Sequence, residues 1–386
     1  MPLADNIKEL TVLLPPTPVS VCTLRTAALM QINSAEQRLL NAKFIRRELT
    51  ARRAHILSLL LAMPAVLAKQ PAVEALTAAY WQRLLELLRQ PQLNGAADEV
   101  RFARMLSLKA DEQEGETRRT FAAALASAHT DVDPEVREQF LDPEVKIGVD
   151  IHLDAIFSAR IGLRFLGEHY LAARRAIDGF AGIIELECSP VAVCEQLGDS
   201  MMAEMRGTYG GTPPIQIHGD REQTFTYVPS HLRFVVGELL SNAAKATVRH
   251  HLQSAEGRLT DLPPIRVIVA VSDGAVTVKV ADQAGGLRRS CLADVWSYRS
   301  LASSHWKVGV GLGLPLARLY AKYFGGTLHR APPTAIQPSP PLTRLLRPPH
   351  RRRLHHARLL TDQTREMCVT AQWRPWRATG PTATSL

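Results

Sequence analysis

A chain of 386 residues, 46% hydrophobic and 22% charged, is long enough for two or three domains with their own cores, and this composition excludes disordered and collagen-like classes. The net charge of +9 points to nucleic acid only until it is divided along the chain: residues 331–386 hold nine arginines against Asp362 and Glu366, and so carry seven of the nine charges. The body is nearly neutral and no nucleic-acid partner is expected; a solvated basic tail is the simpler reading. Five cysteines, an odd number with no CxxC pair, exclude a disulfide scaffold or a zinc site and fit a reducing compartment. No run of about 18 apolar residues exists, so no membrane span is expected. Asp5 and Glu9 near the start are unlike an acid-poor transit peptide, and residue physics alone gives no address.

From Thr23 to about Gln139 apolar residues recur at helical spacing. Ile56, Leu57, Leu59, Leu60, Leu61 and Met63 read as one stripe, and Leu76, Tyr80, Leu84, Leu85 and Leu88 as another. Breaks fall at Pro64, Pro71 and Gln90 to Gly95, which together predict a helical bundle. A long helix is expected over Ile151 to Ala173, with Ile156, Ile161, Leu163, Phe165 and Leu166 inward and His169 as a structural residue. After Gly179 the period changes to two. Ile265, Val267, Val269 and Val271 alternate, Asp273-Gly274 supplies a turn, and Val276, Val278 and Val280 alternate again, which predicts a hairpin. A helix over 231–250, the hairpin, a glycine loop and a helix over 314–324 describe an α+β sandwich rather than a Rossmann unit, because the strands are joined antiparallel.

Three motifs carry chemistry. On the first of those helices, Glu238, Asn242, Lys245 and Arg249 are spaced 4, 3 and 4 apart and share a face, while Val236, Leu239, Leu240 and Ala243 take another that can pack on the sheet. The end of the hairpin puts Asp282 at a strand terminus before Gly285-Gly286, where a carboxylate can accept a hydrogen bond from an exocyclic amine. Gly309, Gly311 and Gly313 then stand at every second position just before a helix that opens at Leu314. Without Cβ atoms, a backbone there can approach a polyphosphate at a helix N-terminus. A carboxylate for a base, an amide for a magnesium ion and glycines for phosphates compose a nucleotide site.

This order of motifs resembles the GHKL ATPase superfamily, and within it the mitochondrial protein kinases of the pyruvate dehydrogenase kinase and branched-chain 2-oxoacid dehydrogenase kinase family. The resemblance spans about residues 15–330 and includes TPVS at 17–20, FIRREL at 44–49, PAVEALTAAYW at 71–81, ARIGLRFLGEH at 159–169, GFAGII at 179–184 and YVPSHL at 227–232. It implies an α+β chain with an N-terminal helical bundle domain over 15–178, then a GHKL (Bergerat-type) α/β-sandwich ATP-binding domain over 179–330. Beyond these lies a divergent basic tail or insertion over 331–386. The resemblance makes Glu238 the general base and Asn242 a magnesium ligand. It makes Asp282 the adenine-recognising residue and Gly286 part of the pocket floor. Gly309, Gly311 and Gly313 hold the phosphates under a lid from about Leu287 to Val308, with Lys245 and Leu314 also nucleotide-binding. The implied cofactors are ATP and magnesium. The implied activity is phosphorylation and inhibition of the decarboxylating component of a 2-oxoacid dehydrogenase complex, in the mitochondrial matrix, by a homodimer that also meets a lipoyl domain.

The chain departs from the family pattern in places. The lysine of the family's Glu-x-x-Lys-Asn-Ala motif is Ser241, the first glycine of Asp-x-Gly-x-Gly is Ala284, and the histidine one turn before the base is Phe234. Ala284 requires φ below zero. A non-catalytic nucleotide-binding regulator and a protein-histidine kinase are the alternatives these departures leave open. In the tail, Thr327 to His329 begins a strand that Pro332 and Pro333 stop, and Met367 to Trp373 is expected as a second strand. Two readings of 331–366 stand at this point, an insertion between those strands or a frame error in the gene sequence.

Overall fold

The computed structural model describes residues 34–110, 114–130, 135, 138, 140, 142–252, 259, 261–272, 275–286, 294–298, 312–331 and 367–373. Its first part is helical: α1 (Ala35–Leu61), the single turn α2 (Ala65–Ala68), α3 (Pro71–Arg89), α4 (Ala96–Ala110), α5 (Glu114–Thr130) and α6 (Pro143–Ala173). Side-chain caps start the longest of them: Ser34 Oγ accepts from Gln37 N–H at 3.1 Å, and one Asp142 oxygen accepts from the N–H groups of Glu144 and Val145. Helix α1 packs against α3, α4 and α6, so it is enclosed, and it buries Glu48, Arg52 and Arg53 as well as Ile45, Leu49, Ile56, Leu57 and Leu60.

The inward stripes are narrower than the leucine content suggests. Leu61 is 50% exposed and Leu59 half-buried, while Leu88 is 41% exposed and Leu85 half-buried. In α3 the buried set is Val73, Leu76, Tyr80, Leu84 and Leu87. A run such as Leu84-Leu85-Glu86-Leu87-Leu88 wraps around a 3.6-residue turn, and only the positions in line with Leu76 and Tyr80 reach the core. The five core residues expected in α6 are all buried. His169 is buried too, stacked on Phe165 with ring centroids 5.5 Å apart, a structural residue of the bundle.

The second part has two sheets. Strands β1 (Phe180–Ala181), β2 (Ile184–Cys188) and β4 (Phe225–Tyr227) form a small antiparallel sheet in that order. Strands β3 (Ile215–His218), β5 (Ile265–Ser272), β6 (Ala275–Asp282), β7 (Thr327–Ala331) and β8 (Met367–Trp373) form the larger one, ordered β3-β5-β6-β8-β7. Helices α7 (Pro190–Tyr209), α8 (Pro229–Leu252) and α9 (Gly313–Tyr323) pack against the strands of this larger sheet. The hairpin β5–β6 is antiparallel from Arg266↔Ala281 to Ser272↔Ala275, and its alternating residues Ile265, Val267, Val269, Val276, Val278 and Val280 are buried. Its tip, Asp273-Gly274, lies outside the described residues.

Strand β8 enters from far along the chain. All seven of its residues pair with β6, from Asp282↔Met367 to Val276↔Trp373, and its other edge pairs with β7. Trp373 at its end is fully buried, with its ring 5.8 Å from that of Tyr227 in the small sheet. Helix α9 contacts both α6 and the sheet, and Phe324 just after it lies against Phe165 and His231. Bundle and sheet therefore share one continuous core.

Candidate nucleotide site

Helix α8 carries the face expected to do chemistry. Val236, Leu239, Leu240 and Ala243 are buried under the sheet, and Glu238, Asn242, Lys245 and Arg249 are half-buried on the other side. That division follows from spacing alone: one apolar stripe docks on β5 and β6, and the polar stripe is left partly exposed.

Opposite Glu238 stands the start of α9. A Cβ added to Gly313 would overlap Glu238 Oε2 and lie 3.0 Å from its carboxyl carbon, so only glycine permits the helix to begin this close to the carboxylate. No side chain caps α9, because its N-cap residue is Leu312. Uncapped N-terminal N–H groups beside a glycine are a cradle for an anion, and the helix dipole favours negative charge there. Leu314, the next residue, is half-buried, and Gly309 and Gly311 lie outside the described residues.

Asp282 closes β6 and is 4% exposed. Its Oδ1 accepts from Ala284 N–H at 2.9 Å, a short turn that steers the chain into Gly285 (φ 78°) and Gly286 (φ 71°). Both glycines sit in the left-handed region that a side chain would disfavour. Ala284 is not among the residues with positive φ, so alanine is accepted in place of the family's glycine.

Two groups of contacts reach these elements from the bundle, and the sequence alone points to neither. Arg118 on α5 donates from Nη2 to Glu238 Oε1 at 2.7 Å, and its guanidinium lies 5.9 Å from the centre of the Phe234 ring, one turn earlier on α8. Nothing in the sequence links positions 118 and 238. The second group pins the described part of the expected lid, Asp294–Tyr298, to α6. Lys146 pairs with Asp294, Tyr298 N–H donates to Asp150 at 3.2 Å, and Tyr298 Oη donates to Asp154 at 2.7 Å. Lys146, Asp150 and Asp154 recur every four residues, a polar stripe on α6 that was the one available signal. Burial, reinforced by Asp154 and Asp150, pushes the Tyr298 hydroxyl well above its ordinary range, so it stays a donor.

Comparison with known proteins gives the family. Residues 23–185 match the family described as mitochondrial branched-chain alpha-ketoacid dehydrogenase kinase, and residues 227–347 match the histidine kinase-, DNA gyrase B- and HSP90-like ATPase family. A mitochondrial [pyruvate dehydrogenase (acetyl-transferring)] kinase of Arabidopsis thaliana is 30% identical over 315 residues, which cover 75% of this chain and 80% of that one. The chain belongs to this family of mitochondrial protein kinases. The fission yeast kinase of the same name, from Schizosaccharomyces pombe, is 33% identical over 205 residues, 48% of this chain and 47% of its own. Human isozyme 1 is 27% identical over 315 residues, 74% and 68% of the two chains. As a member of the family, the chain is a protein kinase built from a helical bundle and a GHKL-type ATP-binding domain that uses ATP. No described helix is long and apolar enough to cross a membrane.

Proposed function

We propose that this kinase phosphorylates serine on the decarboxylating component of a 2-oxoacid dehydrogenase complex, and so inhibits it, with the pyruvate complex as its first substrate. The observation that carries the reading is the meeting of Glu238 with Gly313: a carboxylate held against an uncapped, glycine-opened helix N-terminus. A γ-phosphate cradled by those N–H groups lies within reach of a base that can take the proton of an attacking hydroxyl. Asp282 is the buried carboxylate placed to accept from the adenine amine, with Gly286 shaping the floor beneath it. Gly309 and Gly311 are assigned to the phosphates with Gly313 and Leu314, and Lys245 to the nucleotide's charge. A magnesium ion bound with ATP would offset negative charge on the phosphates. Asn242 is the side chain on the polar face of α8 that would hold it.

The domains proposed are a bundle over 15–178 and an ATP-binding domain over 179–330, with 331–366 an insertion that β8 follows. A frame error would have no reason to leave a register of seven residue pairs with β6, another of five with β7, and a fully buried Trp373. A homodimer, a lipoyl-domain contact and the mitochondrial matrix complete the proposal; their support is the family alone.

The test uses the purified protein, labelled ATP with magnesium, and both pyruvate and branched-chain dehydrogenase complexes. Acid-stable phosphoserine on the decarboxylating component of the pyruvate complex, with loss of that complex's activity, is the expected result. Transfer confined to the branched-chain complex would move the substrate. ATP binding without transfer to either would overturn the reading in favour of a regulator, and acid-labile phosphate would point to histidine.

A further inference from the structure

The two oxygens of Glu238 face different domains. Oε1 accepts from Arg118 of the bundle at 2.7 Å, and Oε2 faces Gly313 at the start of α9. The carboxylate is 18% exposed and the arginine 31%, so the pair is partly buried and is not a free surface contact. Among the described residues, the Nε of Arg118 is buried without a hydrogen-bond partner, and the guanidinium lies over the Phe234 ring. Phe234 itself has no polar atom to offer Glu238 from one helical turn away. The orientation of the carboxylate is thus set from a helix 120 positions earlier in the chain, and by an interaction across two domains.

From this we infer that Arg118 is a positioning residue for phosphate transfer: held at Oε1 by the bundle, Glu238 presents Oε2 to the substrate hydroxyl. The inference rests on the role proposed above for Glu238. In the step, Oε2 takes the serine proton as the serine oxygen bonds to the γ-phosphorus, and the bond from that phosphorus to the bridging oxygen breaks, its electron pair leaving with ADP. Arg118 touches none of the reacting atoms. It fixes one carboxylate oxygen so that the other cannot rotate away, and a displacement on the order of 1 Å at such a group can cost about 10²-fold in rate. Because the clamp belongs to the bundle, the geometry of the base depends on where the bundle holds α5 relative to α8.

Phosphate transfer from labelled ATP to the accepted dehydrogenase complex is measured for the full chain and for Arg118→Met, Arg118→Lys, Glu238→Gln and Arg118→Met/Glu238→Gln, with KM for ATP and thermal unfolding of each. Arg118→Met is expected to lower kcat by about 10- to 100-fold with KM for ATP and the unfolding temperature little changed. Arg118→Lys should recover part of the loss, since it keeps the charge but not the planar fork. The double variant should be no slower than Glu238→Gln alone, as for two groups acting as one unit. An unchanged or raised kcat in Arg118→Met, a loss that tracks KM or unfolding, or additive losses in the double variant would each overturn the inference. Should Arg118→Met fail to fold, Arg118→Lys carries the test: full activity there overturns a role for the fork. If the wild-type chain itself transfers no phosphate, the kinase reading falls and the inference with it.

Discussion

The bundle and the sheet meet the same requirement, enclosing apolar surface, by different means. Helices α1, α3 and α6 enclose a core of local stripes, whereas the sheet closes only when β8 arrives from beyond residue 366 to sit between β6 and β7. Yet the bundle is the part that reaches outward. Arg118, Lys146, Asp150 and Asp154 all leave it to hold groups of the ATP-binding half, and α9 and Phe324 return the contact. The difference teaches that the bundle is not an appendage to a finished ATP-binding half but holds side chains of that half in place.

The largest effect expected from breaking this arrangement is at the seam of the sheet. Trp373→Ala empties a fully buried indole at the end of the strand that completes the sheet, and should cost about 3–5 kcal/mol, read as a lowered urea midpoint. A near-wild-type midpoint would mean that β8 contributes little to closing the sheet. Gly313→Ala comes next: its methyl overlaps Glu238 Oε2, so either the helix start or the proposed base must move, and phosphate transfer should fall about 10²-fold with the fold intact.

The join between the two halves also titrates. His231 is buried among Phe165, Tyr320 and Phe324, and burial, with the nearby Arg164 charge, pushes its imidazolium down to about 3. The folded state holds it neutral while the unfolded chain protonates near 6.5. Its contribution to stability is therefore full above pH 6.5 and is lost as pH falls from there toward 3, at up to about 1.4 kcal/mol per unit. Urea unfolding between pH 7.5 and 5 should show that slope, and His231→Phe should flatten it; an equal slope in both would remove His231 from the account. The smallest effect is at Tyr298. Tyr298→Phe keeps the stack on Phe157 but removes the hydroxyl from Asp154, at a cost of about 1 kcal/mol in unfolding free energy.

Periodicity made the legible part legible. The α8 face, the β5–β6 hairpin and the α6 core follow from spacings of three, four and two within one element, and each forms where those spacings put it. Leucine-rich runs were less informative, since Leu61 and Leu88 satisfy the composition of a stripe without lying on it. Arg118 was illegible for a different reason. A residue on α5 has no sequence relation to one on α8, and only the packing of both against neighbouring elements brings the guanidinium to the carboxylate. The turn at Ala284 fell between the two: the sequence set the condition, φ below zero, and only the backbone could answer it.

The central claim is that Glu238 is the base of a phosphate-transferring site. Glu238→Gln keeps the size and polarity of the side chain and removes its ability to take a proton, so nucleotide binding and the unfolding midpoint should stay close to wild type. Under saturating labelled ATP and magnesium, single-turnover transfer to the dehydrogenase complex should fall by about 10² to 10⁴. Transfer at the wild-type rate in Glu238→Gln would contradict the account.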